Sequence, residues 1–158
     1  LAAPATAIRH GERLVAAQAA AANVVDANSG DVLIGDLALP VGLASDGETL
    51  YVSDWALGTV HAVPSDGDPV LLAEGLTNPE GLALDGDRLL VVEEGLDQVS
   101  AIDLASGEVV PAITGLDLGI SVIPGSAPFG FLNGVTVGPD GTIYVTADGS
   151  RSVHAFAP

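Results

Sequence analysis

Two polar residues stand at matching places in an otherwise apolar pattern: Glu80, in Pro79-Glu80-Gly81-Leu82, and Asn133, in Leu132-Asn133-Gly134-Val135. A carboxylate and an amide carbonyl both offer oxygen, the donor a hard divalent cation takes. A cation held between them would polarise a lactone or ester carbonyl and acidify water. The plainer alternative makes Glu80 a solvated residue and Asn133 a turn cap. A second aligned set is Trp55, Glu94 and Asp148, with Asp54 and Glu93 as the neighbouring pair. Asp148 and Glu94 are the catalytic candidates, peripheral to the proposed metal pair, and Trp55 is a candidate substrate wall. In the plainer reading Trp55 packs between structural units and the acids are solvated. Phe129 and Phe131 are further substrate-binding candidates. They lie in an irregular segment, 118–131 (LGISVIPGSAPFGF), which runs into Asn133. Such a segment reads as a lid or contact surface, or as a loop packed on the outer edge.

The elements that must position these residues are repeats. Pro40–Trp55 aligns with Pro79–Glu94, 39 residues on, and again with Asn133–Asp148 after an insertion. A weaker copy begins at Pro4. Later parts recur too. Asp26–Leu33 matches Asp103–Val110, and Thr59–Val63 matches Ser152–Phe156. Each unit reads as four short strands. In the second unit these are Gly42–Ser45, an Asp46-Gly47 turn, Thr49–Ser53, Thr59–Val63, a turn at Ser65–Asp68, and Val70–Ala73. Leu14–Val25 has the alanine content of a helix, but the repeat alignment predicts strand, turn, strand. The units run about 4–39, 40–78, 79–131 and 132–158, the last ending after its third strand.

Four-stranded units of this length in tandem predict an all-β fold, a β-propeller of four-stranded blades, rather than a stacked solenoid or a sandwich. About four blades are present. They would form part of a larger, six-bladed ring, completed by missing blades or by self-association. The alternative is closure on themselves as four, with an end strand completing the last sheet. Leu1–Ala7 reads as a first strand, and its composition also suits a processed or truncated start near a signal-peptide cleavage site.

Composition narrows the function. The chain has 158 residues, 48% of them hydrophobic, and 21 acids against four basic residues, for a net charge of −17. All four basic residues are arginines. Such a chain cannot neutralise phosphates, which argues against nucleic acid, and it has no attraction to an anionic membrane. The mean hydropathy of +0.48 excludes a disordered tail. No apolar run reaches the length of a bilayer span. Cysteine is absent, which removes disulfides, thiolate metal sites and a cysteine nucleophile. The acidity suits a periplasmic or secreted protein, or one from a salty environment. No GxxxxGK[ST] or GxGxxG is present, so no nucleotide site is expected. His61 and His154 align in third strands and read as packing residues, whereas His10, at a turn where other units carry Asp, is expected to be exposed. No Ser-His-Asp set is expected, because Ser45, Ser53 and Ser100 lie in strands with no identifiable base. Asp26–Asp31 fails the calcium-loop pattern and reads as a hairpin turn.

The segment 140–156 (DGTIYVTADGSRSVHAF) resembles the NHL repeat, and Leu50-Tyr-Val-Ser-Asp-Trp55 resembles the related YWTD repeat. The starts Pro79-Glu-Gly-Leu and Leu132-Asn-Gly-Val are similar to blade starts in gluconolactonase-like (regucalcin-like) and strictosidine-synthase-like propellers. This resemblance implies a six-bladed ring with ligands at one end of a central channel. Its lactonase branch implies a divalent cation, often calcium, held by Glu, Asn and Asp. Here Glu80 and Asn133 match, but the first and second units carry Ala5 and Val41 at that place, and no Asp does. The third ligand, also the expected base, would have to come from elsewhere. The functional expectation is therefore a lactonase-like hydrolase or small-molecule-binding propeller with an axial divalent cation. Two other readings are a non-catalytic NHL-type scaffold for protein, peptide or carbohydrate, and a partial propeller with no activity of its own.

Overall fold

A computed structural model describes residues 1–119 and 133–158. Blade I is a meander of β1 (Pro4–His10), β2 (Arg13–Gln18), β3 (Asn23–Asp26) and β4 (Val32–Ile34). Blade II follows with β5 (Pro40–Ser45), β6 (Thr49–Asp54), β7 (Thr59–Pro64) and β8 (Val70–Glu74). Blade III comprises β9 (Pro79–Asp85), β10 (Arg88–Glu93), β11 (Gln98–Asp103) and β12 (Val109–Thr114). Blade IV has three strands among the described residues, β13 (Val135–Val137), β14 (Ile143–Ala147) and β15 (Ser152–Phe156). All pairings are antiparallel between chain neighbours. The propeller expectation holds. The alanine-rich stretch is indeed strand, turn, strand, its turn a 3-10 segment at Ala19–Ala21 closed by Ala22 in the left-handed region.

Turn chemistry sets the hairpins. Asp46 Oδ1 accepts from the Glu48 and Thr49 amides, at 2.8 and 2.7 Å, while Gly47 takes the positive φ of 99°. Asp26 and Asp103 do the same work in their own turns, accepting from the amides two and three residues on, as the repeat alignment predicts.

Three apolar cores join the blades. Val15, Val24 and Ile34 of blade I meet Leu43, Leu50 and Val52 of blade II. Tyr51, Val60 and Ala62 of blade II meet Leu82, Leu89 and Val91 of blade III. Leu90, Val92, Val99 and Ala101 of blade III meet Val145 and Ala147 of blade IV. Both faces of blades II and III are therefore covered, which explains their nearly continuous apolar strands. No fourth core joins blade IV to blade I among the described residues. No described helix is long and apolar enough to cross a membrane.

Candidate functional site on the propeller axis

The innermost strands β1, β5, β9 and β13 surround a cavity of about 280 Å³, lined by Thr6, Val41–Leu43, Glu80–Leu82, Asn133–Val135 and Thr146. In blades I to III the inner strand carries one extra residue against its partner. The register slips between Pro4 and Thr6, between Pro40 and Gly42, and in blade III opposite Val91–Glu93. A bulge turns a side chain out of the regular alternation. Glu80 sits in the third of these bulges, and Asn133 holds the aligned place just before β13.

Gly42 and Gly81, which follow the aligned places of blades II and III, let the inner strands close in. A Cβ on Gly81 would stand 2.7 Å from Gly134 Cα, and one on Gly42 would collide with the Glu80 carbonyl oxygen. Ser53 Oγ locks the same contact. It accepts from the Gly42 amide at 2.9 Å and donates to the Glu80 carbonyl at 2.7 Å.

Glu80 is 2% exposed. Its Oε2 accepts from the Asn133 amide at 3.2 Å, but its Oε1 is buried with no hydrogen-bond partner among the described residues. Burial pushes its pKa up to about 8. Repulsion from Glu94 and Asp148 adds to the rise, and hydrogen bonding from Asn133 opposes it. At neutral pH the isolated chain therefore holds Glu80 chiefly as the neutral acid. Asn133 is also buried. Its Oδ1 accepts from the Asp148 amide at 2.9 Å and its Nδ2 donates to the Leu118 carbonyl at 3.2 Å. Among the described residues its amide oxygen accepts only that bond, which leaves one lone pair for a further partner.

The structure brings Glu94 and Asp148 into the electrostatic field of Glu80, but neither lines the axial cavity. Trp55 does not line it either. Its Nε1 donates to Glu94 Oε2 at 3.2 Å, clamping blade II to blade III. Phe129 and Phe131 lie outside the described residues. No group of three or more His, Asp or Glu that could hold a metal occurs among the described residues.

The acids beside Trp55 and Glu94 have a structural role that the repeat alignment does not announce. Asp54, fully buried, accepts from the amides of Ala38, Leu39, Ala56 and Leu57 at 2.6–3.1 Å. Glu93 accepts from the Thr77 amide at 2.8 Å, from Gln98 Nε2 at 3.0 Å and from Ser100 Oγ. In blade I, Gln18 Oε1 takes the Ala2 amide at 2.5 Å. Each of these acceptors ties the end of a second strand to the segment leading into its own blade, 16 residues upstream. That constant separation was a signal available in the sequence.

His10 corrects an expectation. It is 6% exposed rather than open, and its Nδ1 lies 2.8 Å from Ser45 Oγ of the next blade. Burial and Arg13 lower its pKa, against an opposing pull from Asp46. His61 pairs with Thr59 Oγ1, and His154 stacks on Phe156, consistent with packing roles.

No family model matches the chain, and no curated protein does. Solved structures do match. The structure of a nidogen/laminin complex aligns at a TM-score of 0.69 and 20% identity, over 91% of this chain and 54% of that one. Virginiamycin B lyase from Staphylococcus aureus aligns at 0.66 and 14%, over 97% and 56%. A putative gluconolactonase aligns at 0.65 and 20%, over 92% and 57%. These likenesses establish the propeller fold. The chain spans about half the length of these three proteins.

Proposed function

We propose that the axial cavity is a ligand site of a small-molecule-binding propeller, anchored by Glu80 and built to receive a divalent cation. One observation carries this reading: a buried carboxyl oxygen without a partner, set by a bulge against the cavity. Buried polar groups are ordinarily satisfied, and an exception is a candidate for an absent ion or ligand. The donor set suits a hard cation held by Glu80 Oε1 and Asn133 Oδ1 that keeps several waters, rather than one saturated by protein oxygens. When bound, such an ion supplies Lewis-acid polarisation of a carbonyl. The chain's own residues supply the rest. Glu80 gives up its proton on binding, Asn133 orients the Glu80 carboxylate through its amide, and Glu94 and Asp148 add negative potential. Lactonase-type hydrolysis, with Asp148 or Glu94 as the base, is the finer form of this reading.

Calorimetric titration of EDTA-stripped protein with calcium and with magnesium, at physiological salt, tests it. One stoichiometric site, lost in Glu80→Gln and weakened in Asn133→Ala, supports the axial site and justifies a lactone screen. Weak, many-site binding indifferent to both substitutions rejects it. The second reading is a non-catalytic scaffold for a protein partner. It draws on the likeness to a propeller solved as a nidogen/laminin complex and on the lack of a three-acid cluster among the described residues.

A further inference from the structure

The junction between blades I and II is polar at its turn end, where the next junction is apolar. In blade III, Leu84 pairs with Leu89, and Leu104 gives its amide to the Asp87 carbonyl. Both Leu84 and Leu104 pack against the core shared with blade II. The same places in blade II are Ser45, which pairs with Leu50, and Ser65, which gives its amide to the Glu48 carbonyl. His10, the last residue of β1, reaches across from blade I to both serines. Three polar residues from two blades therefore meet at one place. His10 is 6% exposed and does not line the axial cavity.

The hydrogen bonds around His10 have one consistent direction. Ser65 Oγ spends its hydrogen on the Glu48 carbonyl at 2.7 Å, so towards His10 Nε2, 3.5 Å away, it can only accept. Nε2 therefore carries the ring hydrogen, and Nδ1 of the neutral ring is an acceptor. Ser45 Oγ, 2.8 Å from Nδ1, donates to it and itself accepts from the Gly47 amide at 2.9 Å. The chain runs from the Gly47 amide through Ser45, His10 and Ser65 to the Glu48 carbonyl. It needs a neutral imidazole. A proton added at Nδ1 sets two donors against each other, so Ser45 must turn its hydrogen away, and it places a charge at a buried position. The charged groups acting on the ring are Arg13, its cross-strand neighbour, which opposes that charge, and Asp46 in the facing turn, which favours it. Glu48 enters the chain through its main-chain oxygen alone.

We propose that His10 is an acid-sensitive latch between blades I and II, closed while its imidazole is neutral and released when Nδ1 takes a proton. The strands it fastens, β1 and β5, also line the axial cavity through Thr6 and Val41–Leu43, so release loosens one wall of that cavity. The core of Val15, Val24, Leu43 and Leu50 keeps the two blades joined, so acid frays the turn end rather than separating them. Burial and Arg13 hold the His10 pKa below its ordinary 6.5, so an opened junction takes the proton before a closed one. The latch is intact above pH 6.5 and is lost as pH falls through the folded value.

Nuclear magnetic resonance of the full chain with isotope-labelled histidine tests the chain of bonds. The expected ring is protonated at Nε2 when neutral and titrates with a midpoint below 6.5. Ser45→Ala removes the donor that favours the neutral ring and should move the midpoint up. Ser65→Ala removes an acceptor that serves both forms and should not raise it. Amide hydrogen exchange, corrected for the intrinsic effect of pH, reads the release. Amides of β1 should lose protection relative to those of β10 as pH falls through the midpoint, and His10→Gln should abolish that loss. Glu80 shifts stability with pH in the opposite sense, so the difference between wild type and His10→Gln is the deciding quantity. If His10→Gln does not fold, Ser45→Ala makes the same test, with release moved to higher pH. A hydrogen on Nδ1 of the neutral ring, a midpoint at or above 6.5, or a midpoint unmoved by Ser45→Ala overturns the latch. So does a loss of protection that persists in His10→Gln, which would assign it to His61 of β7, whose pKa burial also lowers.

Discussion

Asp54 and Glu93, at the ends of second strands, and Glu80, at the start of an inner strand, are all buried carboxyl groups within the same few blades. Their surroundings differ completely. Asp54 takes four backbone amides and Glu93 takes one amide and two side-chain donors. Those donors replace the water lost on burial. Among the described residues, Glu80 receives one amide on one oxygen and nothing on the other. A satisfied buried acid is a rivet, whereas an unsatisfied one costs stability that only a ligand or a proton restores.

That contrast can be broken by substitution. The largest effect is expected for Asp54→Ala, which strands four amides and frees the segment leading into blade II. We expect a loss of about 3–5 kcal/mol, read as a Tm lower by roughly 10 °C or more. Glu80→Gln should do the opposite, in a pH-dependent way. Glu80 has a folded pKa of about 8, above its ordinary value of 4.5, so folding favours its protonated form. Below pH 4.5 the group is protonated folded or unfolded and costs nothing. As pH rises from there towards 8 the unfolded chain ionises first, and stability falls. Denaturant titrations should therefore show wild type weakening across that window by on the order of 3–5 kcal/mol, and Glu80→Gln free of that loss. Saturating calcium should remove the slope from wild type alone. If the two slopes match, Glu80 is not the strained acid.

Gly42→Ala probes the close approach between the rivet and the site. Its Cβ would press on the Glu80 carbonyl and Ser53 Oγ, and overpacking of this kind costs about 1–3 kcal/mol. The measurement is chemical denaturation, with a small or absent loss showing that β5 and β9 can separate. The smallest effect is expected for Trp55→Phe. It removes the hydrogen bond to Glu94 Oε2, worth about 0.5–1.5 kcal/mol, and keeps most of the ring. Cation affinity should change little, because Trp55 does not line the axial cavity. A tenfold loss of affinity would move Trp55 into the site.

Much of the fold could be read directly from the chain. Repeated Pro-x-Gly starts, Asp-Gly turns and Leu-Tyr-Val-type second strands marked the blades, and the alignment rightly overruled helix propensity at 14–25. Asp26 and Asp103 announced their turns because a carboxylate two or three residues before a free amide acts locally. Glu80 and Asn133 were legible as a pair because equivalent strand positions converge on a propeller axis. His10 was misjudged because its burial depends on Ser45 of the next blade, 35 residues away, and a turn-like neighbourhood carries no trace of that packing. Trp55 and Glu94 were placed in a common set, but their mutual hydrogen bond was not visible.

The division follows from the range of the forces. By itself the sequence determined the strands, their turns, the period of the blades and the alternation that gives each blade two apolar faces, since all of these act over a few residues. Tertiary structure alone decided which oxygen of Glu80 lost its partner and how far burial raised its pKa. Desolvation and coverage depend on what packs from neighbouring blades, so they exist only once the blades have met.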